Sequence, residues 1–208
     1  MTGFLVVGIL LSVIVAASVR SRRFGGRDKL SEDLGGRTVL LRTVEAFSRR
    51  DEVTDIVVAG PHDDFDSFKQ RYGDTLGFHG VTVVPGGKNH RWETVKAALD
   101  AVSDDTTHIA VHDAARPAVT GELLDRLFQA AENVSAVIPG VSVNDTIKKV
   151  SEEEANVAGS DDDDALAEAI LGAAGRKAIQ ARRVESTLDR TNTVMVQTPQ
   201  VFQADVLK

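Results

Sequence analysis

Seven consecutive residues, Val111-His-Asp-Ala-Ala-Arg-Pro117, are the part of the chain best equipped for chemistry. Asp113 is a carboxylate followed by two minimal side chains, Ala114 and Ala115, and then by the guanidinium of Arg116. Small residues behind an acid let a bulky anion and a divalent cation approach the backbone closely. The preceding run, Thr107-His-Ile-Ala-Val111, is short, apolar and β-prone, so it predicts a buried strand with Asp113 at its carboxyl end. Open α/β sheets bind ligands along that rim. Taken alone, the segment fits a capped turn with a surface ion pair equally well.

A second cluster lies near the amino end. Ala16, Ala17 and Ser18 are small enough for backbone N–H groups to meet phosphate oxygens. Arg20, Arg22, Arg23, Arg27 and Lys29 follow, concentrating positive charge in a chain whose net charge is −7. Such a cluster beside a strand end suits a triphosphate that must be neutralised. The competing reading is the stop signal of a membrane anchor.

Two further segments are weaker. Pro85-Gly-Gly-Lys-Asn-His-Arg-Trp-Glu-Thr94 offers glycines, which allow close approach to a base or ribose, and Thr94 at a helix start, able to bond a base edge. Gly-Gly turns are common, and Trp92 reads as packing. Thr146 and Arg190 could together grip a phosphate monoester, the arginine in bidentate fashion, or could be ordinary cross-strand neighbours. The five histidines show no metal-ligand spacing, and the lack of cysteine excludes disulfides and thiolate metal sites.

These residues need a frame, and the apolar pattern supplies one. Strands are expected at Leu11–Ala16, Val53–Ala59, Val81–Val84, His108–His112 and Ser135–Pro139. Helices are expected at Thr38–Arg49, Asp63–Tyr72, Arg91–Val102 and Gly121–Ala131. The alternation predicts an α/β fold, a mostly parallel twisted sheet with helices on both faces. Right-handed crossovers then bring every strand's carboxyl end to one rim.

The rhythm breaks after Val141. An exposed strand over Val143–Val150, an acidic insertion over 151–183 with a helix-prone segment Ala165–Arg183, and an extended piece Val184–Arg190 read as a projecting arm spanning about 141–191. The blocks Glu152–Glu154 and Asp161–Asp164 read as solvated. The whole of 11–208 is expected as one domain behind an apolar leader, 1–10. The uncharged run Gly3–Val19 lies at the short end of a membrane span, roughly 17–25 residues, and its charges follow the apolar run, which argues against a secretory signal. A buried strand entering a phosphate loop is the preferred reading, with membrane association over 3–19 as the alternative. The acidic balance offers no footprint for nucleic acid, and a cysteine-free chain is compatible with the cytoplasm.

In this order, Arg20-Ser-Arg-Arg-Phe-Gly…Lys29, Val-His-Asp-Ala-Ala-Arg-Pro117, Asn-Asp-Thr-Ile-Lys148 and Thr-Leu-Asp-Arg190…Gln-Thr-Pro-Gln-Val-Phe202 resemble the 2-C-methyl-D-erythritol 4-phosphate cytidylyltransferases of the non-mevalonate isoprenoid pathway. The resemblance runs from about Leu11 to the chain end and rests on the ordered set. It implies a Rossmann-like nucleotidyltransferase fold, a homodimer clasped through the arms, magnesium, and CTP and a polyol phosphate as substrates. Arg23 and Lys29 would then steady charge on the α-phosphate and leaving pyrophosphate. Ala16, Ala17, Ser18 and Ala114 would line the triphosphate, with Gly87, Lys88 and Thr94 near cytosine and ribose. Asp113 would hold magnesium or orient the acceptor, with Arg116 and Thr198 beside it. Thr146 and Arg190 would reach the acceptor phosphate, in the partner subunit's site.

Three departures set further expectations. The family's Pro-Ala-Ala-Gly loop is here Ala16-Ala-Ser-Val19, and a branched Cβ at the last position resists close phosphate approach. The Gly-Gly…Arg segment is one residue longer. The sequence stops at Lys208, ahead of the position where the family's closing segment supplies an acceptor-binding threonine and lysine. The expectation is poor turnover by this 208-residue form. The alternatives are a cytidylyltransferase for another polyol phosphate, such as ribitol 5-phosphate, and a catalytically silent homologue serving as a binding subunit.

Overall fold

The computed structural model describes residues 8–18, 28–158 and 178–208. The chain resolves into two compact units, 1–139 with 196–208, and 140–195.

In the first unit, four strands follow the apolar runs: Leu11–Ala16 (β1), Val53–Gly60 (β2), Val81–Pro85 (β3) and His108–Asp113 (β4). Every residue of β1 is buried, because β1 lies between β2 and β4 and is covered on both faces. The interleaved helices are Val39–Ser48 (α1), Phe65–Phe78 (α2), Arg91–Leu99 (α3) and Gly121–Ala131 (α4). Thr38 and Thr120 start α1 and α4 by accepting the N–H groups of Leu41 and Leu123 on their hydroxyls.

Together with Ala136–Val137 (β5) and Gln200–Gln203 (β10), the strands form a six-stranded sheet in the order β3-β2-β1-β4-β10-β5. The four leading strands are parallel, and β10 runs antiparallel to both β4 and β5. The sheet is thus mixed at one edge, where the returning carboxyl-terminal segment slots in beside β4.

Alternate residues of β1 face opposite cores. Leu11, Val13 and Val15 pack with Leu40, Val44 and Phe47 of α1, Phe68, Tyr72 and Leu76 of α2, and Leu124 and Phe128 of α4. On the other side Ile14, Val57, Ile109 and Val111 pack with Ala98 of α3 and with Ala204 of the short terminal helix Ala204–Leu207 (α5). Helices therefore cover both faces. The connection from β3 to β4 must pass β2 and β1, so α3 packs across those two strands and its first turn lies over their carboxyl ends.

Some boundaries differ from expectation. The second helix runs six residues past Tyr72, through Gly73 and Gly77, because Leu76 is needed in the core. The third ends at Leu99, although Val102 remains buried in the following turn. The strand expected at Ser135–Pro139 pairs only over Ala136–Val137.

The second unit contains Gly140–Ser142 (β6), paired with Val194–Val196 (β9) at the unit's boundary, and Lys148–Ala158 (β7), paired antiparallel with Ala178–Thr187 (β8). The strand expected at Val143–Val150 is displaced, beginning only at Lys148. Residues 178–183, expected in a helix, are strand. Glu152–Glu154, read as solvated loop, lie in β7 beside an irregularity in its register, and Glu154 accepts from Arg182 at 2.7 Å. Asp161–Asp164 and most of the helix-prone segment lie outside the described residues, as does most of the leader. Among the described residues no helix is long and apolar enough to cross a membrane.

Candidate active site

Backbone geometry at the carboxyl ends of β1 and β4 sets the floor of the site. Register pairs Ala16 with Asp113, and the N–H of Ala114 donates to the carbonyl of Ala16 at 3.1 Å. The turn after Asp113 is fastened from several sides. The buried Thr43 hydroxyl of α1 donates to the Ala114 carbonyl at 2.8 Å. The N–H of Arg116 closes onto the Asp113 carbonyl at 3.1 Å, and the N–H of Asp113 reaches the Thr198 hydroxyl at 3.4 Å. His112, fully buried against Phe47, bonds the Arg116 carbonyl through Nε2 at 3.0 Å. A carbonyl only accepts, so Nε2 carries the proton, and buried Nδ1 finds no partner among the described residues. Burial pushes the imidazole below its ordinary pKa, outweighing the bond to Arg116 and the nearby Asp113 carboxylate.

Asp113 is clamped. Its Oδ1 accepts from Arg91 Nε at 3.1 Å and Nη2 at 2.9 Å, and its Oδ2 accepts from Arg116 Nε at 2.8 Å. Burial alone would raise this carboxyl's pKa, but Arg91 and then Arg116 bring it below the ordinary value. Asp113 therefore stays ionised, and both its oxygens point at cations.

A cleft of about 560 Å³ opens above this turn, lined by Ala16, Ala17, Lys29, Leu30, Arg91 and Asp113–Arg116. Lys29 and Asp113, 84 positions apart in the chain, share it. Three cations and one carboxylate line it, with the small side chains of Ala16, Ala17, Ala114 and Ala115 between them. That is an anion receptor suited to several phosphates at once.

Among the described residues no three His, Cys, Asp or Glu side chains gather to hold a metal. Among the described residues, Asp113 is the one acid in the cleft lining. A magnesium ion commonly takes one or two carboxylates and completes its shell with substrate phosphates and water. Asp113 fits that single contribution once Arg91 turns aside.

The Gly86–Thr94 loop is built differently from its expected role. A Cβ on Gly87 would lie 2.2 Å from Cβ of Glu93 and 2.6 Å from the nitrogen of Thr94, so this glycine is required by packing against the first turn of α3. The Glu93 carboxylate accepts the N–H groups of Lys88, Asn89 and His90, at 3.1, 2.9 and 3.4 Å, which holds its pKa below the ordinary value, the Asn89 bond foremost. Thr94 is fully buried: its hydroxyl meets Ser18 Oγ at 2.7 Å and accepts the N–H of Gly87 at 3.1 Å. With its hydroxyl engaged in this way, it ties Ser18, after the end of β1, to the glycine loop instead of presenting that hydroxyl to a base. Gly87 is half-buried and Lys88 exposed beside it.

Residues 10–172 match the model of the family described as 2-C-methyl-D-erythritol 4-phosphate cytidylyltransferase (IspD). The chain belongs to this family. A cytidylyltransferase of that name from Frankia casuarinae is 38% identical over 95% of the chain, and one from Symbiobacterium thermophilum is 36% identical over 95%. The chain spans 62% of the first relative's length and 70% of the second's. The solved 4-diphosphocytidyl-2C-methyl-D-erythritol synthase of Anaerococcus prevotii superposes with a TM-score of 0.65 at 25% identity, covering 96% of this chain and 72% of its own. The Rossmann-like nucleotidyltransferase fold is the architecture of this IspD-family chain.

Within it, the structure brings Ala16, Ala17, Lys29, Asp113, Ala114 and Arg116 to one cleft, with Ser18 and Thr198 one hydrogen bond away from neighbouring groups. Arg23 and Val19 lie outside the described residues. Thr146 and Arg190 belong to the second unit, outside its paired strands, where Arg190 donates to the carbonyl of Asn144. They were expected on the arm strands, which in fact begin at Lys148 and end at Thr187. Sequence reasoning noted Arg91 as a helix-start residue and missed its grip on Asp113. The only signal was its place after β3, on a loop that must travel back over β1 toward β4.

Proposed function

We propose that this chain is a nucleotidyltransferase that joins CTP to 2-C-methyl-D-erythritol 4-phosphate, releasing pyrophosphate and forming the CDP-linked alcohol. The observation that carries the reading is the single cleft holding Lys29, Arg91 and Arg116 opposite Asp113, at the carboxyl ends of β1 and β4. An oxygen of the acceptor's phosphate attacks the α-phosphorus of CTP. That P–O bond forms as the α–β bridging bond breaks, and the electron pair leaves on pyrophosphate. The protein need supply no nucleophile, only alignment and charge neutralisation. Lys29, with Arg23, neutralises negative charge on the α-phosphate and the departing pyrophosphate. Ala16, Ala17, Ser18 and Ala114 bring backbone close to the triphosphate. Gly87 and Lys88 border the base and ribose, with Thr94 fixing their loop. Asp113, Arg116 and Thr198 orient the acceptor, and Thr146 and Arg190 reach the acceptor phosphate in the partner subunit's site.

Magnesium belongs to this reading. Asp113 is the residue that would hold it, and the ion would supply further neutralisation of the phosphate charge. The protein is read as a cytoplasmic homodimer joined through residues 140–195. Half-exposed Val141, Val184, Leu188, Val194 and Met195 in that unit support a covered surface.

The test is pyrophosphate release by the purified chain with CTP, magnesium and either 2-C-methyl-D-erythritol 4-phosphate or ribitol 5-phosphate. Turnover confined to the former is expected. Turnover with ribitol 5-phosphate alone reassigns the acceptor, and absence of both turnover and calorimetric CTP binding marks a silent homologue.

A further inference from the structure

We propose that Asp28 and Tyr72 are positioning residues that hold Lys29 in the cleft before any nucleotide arrives. The inference rests on the nucleotidyl-transfer reading and adds to it how the cation is kept in place. Asp28 Oδ2 accepts the hydroxyl of Tyr72 at 2.6 Å and Nη1 of Arg71 at 3.0 Å. Its other oxygen, Oδ1, accepts the N–H of Leu30 at 3.0 Å. One carboxylate therefore brackets Lys29, anchored to a helix on one side and to the residue after the lysine on the other.

The brackets are themselves fixed. Tyr72 is only 5% exposed, sits in the main core and lies 4.9 Å from the Phe68 ring. Burial foremost, and then the Asp28 carboxylate, push its phenol up to about 12, so it remains a donor throughout the neutral range. Leu30 is buried in the same core, and its carbonyl accepts the N–H of Leu40 at 3.2 Å. The Asp28 carbonyl accepts both the N–H and hydroxyl of Ser31, at 3.2 and 2.8 Å. The main chain of Lys29 cannot shift without breaking one of these bonds.

A lysine is a point charge on a flexible stem, and its value depends on where its backbone starts. Misplacement by about 1 Å can cost on the order of 10²-fold in rate. Arg71 is well exposed, so its pairing with Asp28 adds little, and the buried phenol is the anchor. Neither Asp28 nor Tyr72 lines the cleft, so both act through Lys29.

The experiment uses the full chain with Tyr72→Phe, Asp28→Asn, Lys29→Ala and the Tyr72→Phe/Lys29→Ala pair. In pyrophosphate release, Tyr72→Phe should lower kcat/KM about tenfold, within the scale of an ångström's displacement, and have no further effect once Lys29 is alanine. Equal losses in both backgrounds would make Tyr72 a merely structural residue. A second readout needs no turnover: the rate at which an amine-reactive reagent modifies Lys29, read by mass spectrometry against exposed Lys69 on α2. Tyr72→Phe and Asp28→Asn should each change the Lys29 rate severalfold and leave Lys69 unchanged. An unchanged Lys29 rate overturns the proposal whatever the activity. A changed rate in a chain that releases no pyrophosphate upholds the positioning and removes the catalytic reading.

Discussion

Replacing Thr94 by valine separates a loop tie from a base contact. Valine keeps the shape of the side chain and deletes the hydroxyl that meets Ser18 Oγ at 2.7 Å and the N–H of Gly87 at 3.1 Å. Each bond contributes roughly 0.5–1.5 kcal/mol net, so losing two should cost about 2 kcal/mol. For a domain of this size, about 2–4 °C of Tm per kcal/mol gives a fall near 6 °C. Thr94→Ser keeps the hydroxyl and should recover most of that loss. Thermal unfolding followed by circular dichroism reads the stability, and calorimetry reads CTP affinity for both variants. CTP binding should weaken in proportion to the loosened loop and recover in the serine variant. A valine variant with unchanged Tm and sharply reduced CTP affinity would refute the reasoning, because the hydroxyl would then be spent on nucleotide.

Lys29→Ala should reduce kcat/KM about 10²-fold, the scale of removing one charge-stabilising group, with almost no change in Tm, since the side chain faces the cleft; steady-state pyrophosphate release checks it. Gly87→Ala forces a methyl into Glu93 and the start of α3 and should cost about 1–3 kcal/mol as overpacking, measured by urea denaturation. The His112 imidazole is depressed by burial, so below its ordinary pKa of about 6.5 the unfolded chain takes a proton that the folded chain refuses. Stability should fall as pH drops from 7 to 5, and less steeply in His112→Gln, as Tm against pH will report. Asp113 is also depressed, so its contribution persists to lower pH and is lost only beneath the ordinary carboxylate range near 3.9.

The parallel core was legible because its strands are apolar on both faces, as helix-covered sheets require. Leu11–Ala16 was readable for that reason: no face of it meets water. The arm strands carry the opposite signal. Lys148–Glu154 and Ala181–Thr187 are largely exposed, so burial imposes no alternation, and the run of glutamates looked like loop. Helix α2 passes two glycines because Leu76 gains more from the core than those positions cost in propensity. At the site, residue types were readable but partners were not. Asp113 could be picked out by its small neighbours, whereas Arg91 reaches it only because α3 crosses two strands. The same holds for Tyr72 and Asp28, 44 positions apart on elements that no local pattern connects.

The central claim is that one nucleoside triphosphate spans Lys29 and Asp113, and a crystal structure with CTP and magnesium tests it most directly. Phosphate density is expected against Ala16 and Ala17, with Lys29 on one side and Asp113 released from Arg91 on the other. Nucleotide bound instead in the groove between α3 and α5, where Val95, Leu99, Val111 and Phe202 are flanked by Lys96 and Asp100, with the Arg91–Asp113 pair intact, would contradict it.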